Sequence, residues 1–180
     1  YDVDGIELDF FRHMHYFKSV SWGGEASDEE REMMNELIRR IRHMTEQEGL
    51  RRGKPILVAV RVADSAEYSR ALGLDFERWL AEKCVDILIT TCYFRLNYWD
   101  YSVNLARKYD VPFYPSLSDS RVKAEHPDYT RKSIEAYRGQ AMEAWQAGAA
   151  GIYLFNQFNP TTPHWKELGD PKTLHGKDKL

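Results

Sequence analysis

Two cysteines, Cys84 and Cys92, are the only thiols in this 180-residue chain. That is too few for a disulfide scaffold. Their spacing does not suit a bond to each other either. A strand lies between them, and eight residues at ~3.3 Å each hold them roughly 26 Å apart when extended. Long apolar runs are also missing. The longest inside a candidate strand is Ile56–Val60, against the ~20 residues of a membrane-crossing helix. No basic excess is present: 25 Lys+Arg face 28 Asp+Glu, a net charge of −3. The cationic footprint of a nucleic-acid binder is therefore lacking. What remains, 43% hydrophobic and 29% charged residues, is the composition of a globular domain. Tyr1-Asp2-Val3-Asp4-Gly5 leads straight into an alternating strand without a leader-like stretch, so the chain reads as cut from something longer.

One unit repeats. Val3–Phe10 alternates Ile6, Leu8 and Phe10 with Gly5, Glu7 and Asp9, the period-2 pattern of a strand with two unlike faces. After a loop, Ser27-Asp28-Glu29-Glu30 is a capping box. It opens a helix whose stripe holds Met33, Met34, Leu37, Ile38, Ile41 and Met44, ended by Gly49 and Gly53. Further strands are predicted over Ile56–Val62, Val85–Thr90, Val111–Ser116 and Gly151–Phe155. Helices lie between them over Ser65–Leu72, Asp75–Lys83, Tyr101–Tyr109 and Tyr129–Gly148. The stretch from Asn156 to Leu180 shows little periodicity. Residues 1–160 thus form the α/β unit and 161–180 a tail.

Strands alternating with helices imply parallel pairing through right-handed crossovers. The strand starts lie about 37 residues apart on average, so eight units need about 300 residues, the size of a (β/α)8 barrel. Five strands with their helices make a partial barrel. The competing architecture is a complete doubly wound domain. Against it, the first strand carries Glu7 and Asp9 on one face, and no Gly-rich phosphate loop follows. A barrel opened in this way exposes two hydrogen-bonding edges, so self-association is expected.

In either architecture the ligand lies at the carboxyl ends of the strands. There the chain delivers Glu7, Asp9, Arg12, His13 and His15, then Arg61 and Asp64. Later strands add Tyr93, Tyr98 and Trp99, then Ser116 and Asp119, and finally Asn156. Carboxylates fringed by aromatics suit carbohydrate: hydroxyls need dense donors and acceptors, and sugar C–H faces pack on rings. Glycosidic cleavage needs two carboxyl groups, one to protonate the leaving oxygen and one to attack or activate water. Asp9, Glu7 and Asp119 are the catalytic candidates. Arg12, His13, Arg61, Tyr93, Trp99 and Asn156 are the candidates for holding substrate. Glu7 is equally suited to a structural ion pair with Arg61, Asp119 to a turn, Asp64 to a helix cap, and the rings of Tyr93 and Trp99 to loop packing. His13-Met14-His15 has a metal-hydrolase spacing, but later strands supply no further histidine, so no metal or other cofactor is expected.

The stretches DGIELDFFRH (4–13), ADSAEYSRALGLDFERWLAEKCVDILI (63–89), VPFYPSLSDSR (111–121), GIYLFNQFNP (151–160) and ELGDP (167–171) resemble uncharacterised bacterial family-10-like glycosyl hydrolase barrels. The resemblance implies barrel strands four to eight, three strands upstream, a carbohydrate substrate and a periplasmic or extracellular setting. The first strand also resembles the D-G-x-D-x-D-x-E motif of family 18 chitinases through Asp4, Gly5 and Asp9. It departs from that motif where Glu7 replaces an Asp and Phe11 stands in place of the catalytic Glu. A non-catalytic carbohydrate-binding barrel is the alternative reading.

Overall fold

A computed structural model describes residues 2–91, 94–120 and 132–180. Its elements run β1 (Gly5–Asp9), α1 (Lys18–Ser21), α2 (Asp28–Arg52), β2 (Leu57–Val62), α3 (Ala66–Ala71), α4 (Phe76–Ala81) and β3 (Ile87–Thr90). They continue with α5 (Trp99–Lys108), β4 (Phe113–Leu117), α6 (Ile134–Ala147), β5 (Tyr153–Leu154) and α7 (Pro163–Glu167), and a 3-10 turn over Pro171–Leu174 closes the chain.

The strands form one parallel sheet in the order β1-β2-β3-β4-β5. That order selects the architecture. A doubly wound sheet reverses its strand order at a switch point, whereas here every strand adds on the same side of its predecessor, as in a barrel. The sheet also curls. Laid flat, β1 and β5 would lie about 19 Å apart, beyond the joint reach of a tyrosine and a glutamate. Yet the Tyr153 hydroxyl donates to Glu7 Oε1 at 3.1 Å. The result is a half-barrel whose edge strands face each other across its hollow.

Register assigns the two faces. Gly5, Glu7 and Asp9 stand beside Leu57, Ala59 and Arg61. Ala59 and Arg61 stand beside Ile87 and Ile89, Ile89 beside Tyr114, and Ser116 beside Tyr153. These residues line the concave side. The alternate residues Val60, Val62, Leu88, Phe113 and Leu117 point the other way and form the main core with Ile38, Phe76, Trp79, Leu80, Val103, Tyr137 and Ala141 of the helices. A smaller cluster of Phe11, Ala63 and Phe155 sits on the concave side.

The local devices follow the sequence. Ser27 and Glu30 form the capping box of α2, and Gly53 ends that helix in the left-handed region at φ 69°. The apolar stripe of α2 divides: Met34 and Ile38 are buried, while Met33, Leu37 and Met44 remain exposed. α6 begins at Ile134 behind the Ser133 cap; the expected start near Tyr129 lies outside the described residues. The segment after Asn156 is more ordered than its aperiodicity implies. Pro163 and Pro171 each open a helical turn rather than break one, because proline at the first helical position forfeits no hydrogen bond. Leu168 and Leu174 are buried, Trp145 Nε1 donates to the Leu168 carbonyl at 2.9 Å, and Arg138 pairs with Glu167 at 2.7 Å. These contacts fold the tail back onto α6.

Candidate active site at the carboxyl ends of the strands

Arg61 organises the concave side. It is fully buried, and a buried guanidinium requires a compensating charge. Its Nε and Nη2 donate to Asp9 Oδ1 and Oδ2 at 3.0 and 2.6 Å, a two-pronged pair. Register explains the match, since Asp9 and Arg61 are direct neighbours across β1 and β2 while Glu7 lies beside Ala59. Glu7 Oε1 stands 4.0 Å from Arg61 Nε, so the fork belongs to Asp9 and not to Glu7. Aromatic rings enclose the cation: its Cζ lies 4.0 Å from the Phe155 ring centre, 5.7 Å from Tyr153 and 5.9 Å from Phe11.

The two carboxylates occupy unlike settings, although both are about 30% exposed (Glu7 32%, Asp9 29%). Burial raises the Glu7 pKa above the usual glutamate value; the Tyr153 hydrogen bond and the Arg61 charge oppose that rise. Tyr153 is itself pushed up to about 12, mainly by burial and then by the Glu7 charge. Asp9 faces the guanidinium, and its Oδ1 also accepts the Phe11 N–H at 3.1 Å. Distances of 3.0 and 4.0 Å from one Arg61 nitrogen keep the nearest Asp9 and Glu7 oxygens no more than ~7 Å apart, close enough for both to face one bound group. Among the described residues, this is a juxtaposition of a carboxyl group whose pKa burial raises with an ion-paired partner.

The other candidates fall into separate places. Arg12 is exposed and lies over the Phe155 ring at 5.4 Å, so it reaches the same aromatic as Arg61. His13 and His15 are exposed on the loop after β1. Among the described residues no group of three or more His, Cys, Asp or Glu side chains is placed to hold a metal ion. Asn156 is exposed at the end of β5, with a left-handed φ of 57°, and its Nδ2 lies 3.5 Å from Ser120 Oγ. Asp119 stands at the end of β4, where its charge partly offsets the burial that lowers the His164 pKa; among the described residues it makes no contact with Glu7 or Asp9. Tyr93 lies outside the described residues.

Trp99 requires a correction. Its ring is 4% exposed and packs against Phe113 on the helix side of the sheet at 6.2 Å. As the first residue of α5 it belongs to the main core, so it cannot serve as a sugar platform. Asp64 is also not the helix cap. Ser65 caps α3, while the buried Asp64 carboxylate accepts the Leu96 and Asn97 N–H groups at 2.9 and 2.7 Å. Asn97 Nδ2 returns a bond to the Asp64 carbonyl at 2.6 Å. The loop after β3 is thereby clamped to the end of β2. Thr91, at the start of that loop, holds a φ of 63°, which is strained for a β-branched residue.

Tyr153 and Phe155 are site residues that the sequence reading did not single out. Alternation from Gly151 through Tyr153 to Phe155 was the available signal, since it puts all three on one face. Beside this constellation, a cleft of about 270 Å³ opens between the loops after β1 and β3, with Phe11, Arg12, His13, His15, Tyr68 and Phe94 in its walls. No protein-family model matches the chain, and no curated protein matches it either.

Proposed function

We propose that this chain is a glycoside-hydrolase-like domain that acts on carbohydrate at the carboxyl ends of its strands, within the C-terminal part of a (β/α)8 barrel. The observation that carries the reading is the Glu7–Asp9 pair on the concave face, held by Tyr153 and Arg61 respectively. Glu7, whose pKa burial raises, is suited to protonate a leaving glycosidic oxygen. Asp9 would supply the second carboxylate, to attack the anomeric carbon, activate water or stabilise its positive charge. In an eight-stranded barrel β1 and β5 stand diametrically opposed, and side chains meeting across the axis are what a filled barrel interior requires. Three further strands of the same protein would complete the wall.

Glu7→Gln tests the reading. The amide preserves the size and the Tyr153 contact but cannot give up a proton. Turnover of a glycan substrate should fall by about 10²–10⁴-fold, while glycan binding and the melting temperature are retained. Asp9→Asn should likewise abolish hydrolysis while keeping binding. Unchanged turnover in Glu7→Gln removes Glu7 from the acid role. A second reading, carbohydrate binding without turnover, is favoured by one observation: both Asp9 oxygens are already engaged by Arg61, and one also by Phe11 N–H. Glycan binding by the wild-type protein with no hydrolysis would select it.

A further inference from the structure

We infer that the cleft between the loops after β1 and β3 is a subsite for a single anionic sugar ring, such as a uronate or a sugar phosphate, with Arg12 as the residue that selects its charge. This rests on the carbohydrate reading above and specifies its substrate class. Three independent features of the cleft converge on it.

The first is size. At about 270 Å³ the cleft falls just below the ~300 Å³ at which pockets for drug-sized ligands begin, which suits one ring rather than an oligomer. The second is the apolar wall. Phe94 is 41% exposed and packs at a tilt against Phe11, with ring centres 5.1 Å apart, and edge-on against Tyr68 at 6.5 Å. The Asp64 clamp on Leu96 and Asn97 holds the Phe94 loop in place. A ring held this way offers a stacking surface at little entropic cost.

The third is charge. Among the described residues no Asp or Glu lines the cleft, while Arg12, His13 and His15 do. Most of the described arginines hold carboxylates, as Arg39 holds Glu82, Arg78 holds Glu32 and Arg138 holds Glu167, while Arg40 and Arg107 on the outer helices, like Arg12, do not. Arg12 makes no ion pair among the described residues, and its guanidinium lies over the Phe155 ring at 5.4 Å. The cation is therefore positioned by an aromatic contact, with its N–H fork left for an external anion. A guanidinium binds carboxylate or phosphate by charge-assisted, two-pronged hydrogen bonds, and a neutral hydroxyl cannot match them.

The test titrates the protein with D-glucuronate, D-glucose 6-phosphate, D-glucose and acetate, followed by amide chemical shifts in NMR. One of the two anionic sugars should bind at least about tenfold more tightly than glucose, and acetate, which has no ring to stack, should bind weakly. The tighter of the two identifies the anion. Arg12→Gln should bring the anionic sugar and glucose within about twofold of each other, and Phe94→Ala should weaken both sugars together. Equal binding of glucose and both anionic sugars overturns the charged subsite and leaves the carbohydrate reading standing. A preference that survives Arg12→Gln overturns the role of Arg12. No binding of any sugar, combined with no glycan turnover, overturns both.

Discussion

Two arginine forks of the same geometry lie on opposite sides of the sheet. On the concave side Arg61 grips Asp9 through Nε and Nη2 at 3.0 and 2.6 Å. On the outer helical layer Arg39 grips Glu82 through the same two nitrogens at 2.7 and 2.9 Å. Distances alone would rank them equal, but burial separates them. Arg61 is fully enclosed, whereas Arg39 and Glu82 keep about a third of their side chains in water (30% and 32%). The outer pair also belongs to a network in which Arg78 bonds both Glu82 and Glu32. The arginines and partial burial pull in opposite directions, and the arginines prevail, bringing the Glu82 pKa down to about 2. Glu7, on the concave side, shifts the other way because burial outweighs Arg61 at 4.0 Å. The direction in which a carboxyl group shifts is thus decided by whether its cation is in direct contact and how far water is excluded.

Truncating Asp9 should produce the largest effect. Asp9→Ala strands a guanidinium in a dry site and should cost about 3–5 kcal/mol of unfolding free energy, measured by urea denaturation. A loss below about 1 kcal/mol would mean that the concave fork behaves like the surface one. Next comes Tyr153→Phe, which deletes the hydrogen bond to Glu7 and should cost about 1 kcal/mol. Because that bond opposes the rise in the Glu7 pKa, its loss should move the alkaline limb of the pH–rate profile upward. A carboxyl group raised by folding stabilises the fold most below its ordinary pKa. That contribution fades as pH climbs through the folded value, so the variant should keep it to higher pH than the wild type.

Glu82→Gln should do least. Glu82 is depressed by folding, so its contribution is present above the ordinary glutamate pKa and is lost as pH falls towards about 2. Solvent screening holds the difference at neutral pH below about 1 kcal/mol. Urea midpoints of variant and wild type should converge in acid and in high salt. A gap that persists at low pH would show that Glu82 acts through packing instead of charge.

The architecture was legible because its signals are local: alternation in β1, the capping box of α2 and the regular return of strands each need only a few neighbouring residues. The partner of Arg61 was harder to read. Glu7 and Asp9 share a face, and the choice between them depends on the register of β1 against β2. A parallel pair joined by a long crossover has no tight turn to fix that register in the sequence. Trp99 was misplaced because its aromatic-rich loop surroundings mask its role as the first residue of α5, where the helix turns its ring inward. Tyr153 went unnoticed because its significance comes from a partner 146 positions away, a contact that exists only once the sheet curls.

The strand order has a consequence for assembly. Among these five strands each docks on the one synthesised just before it, so this part of the sheet can grow from β1 to β5 in the order of synthesis. The bond from Tyr153 to Glu7 is the exception. It joins β1 to β5 and can form only after β5 has docked, so the carboxylate pair acquires its final surroundings later than the strand that carries it.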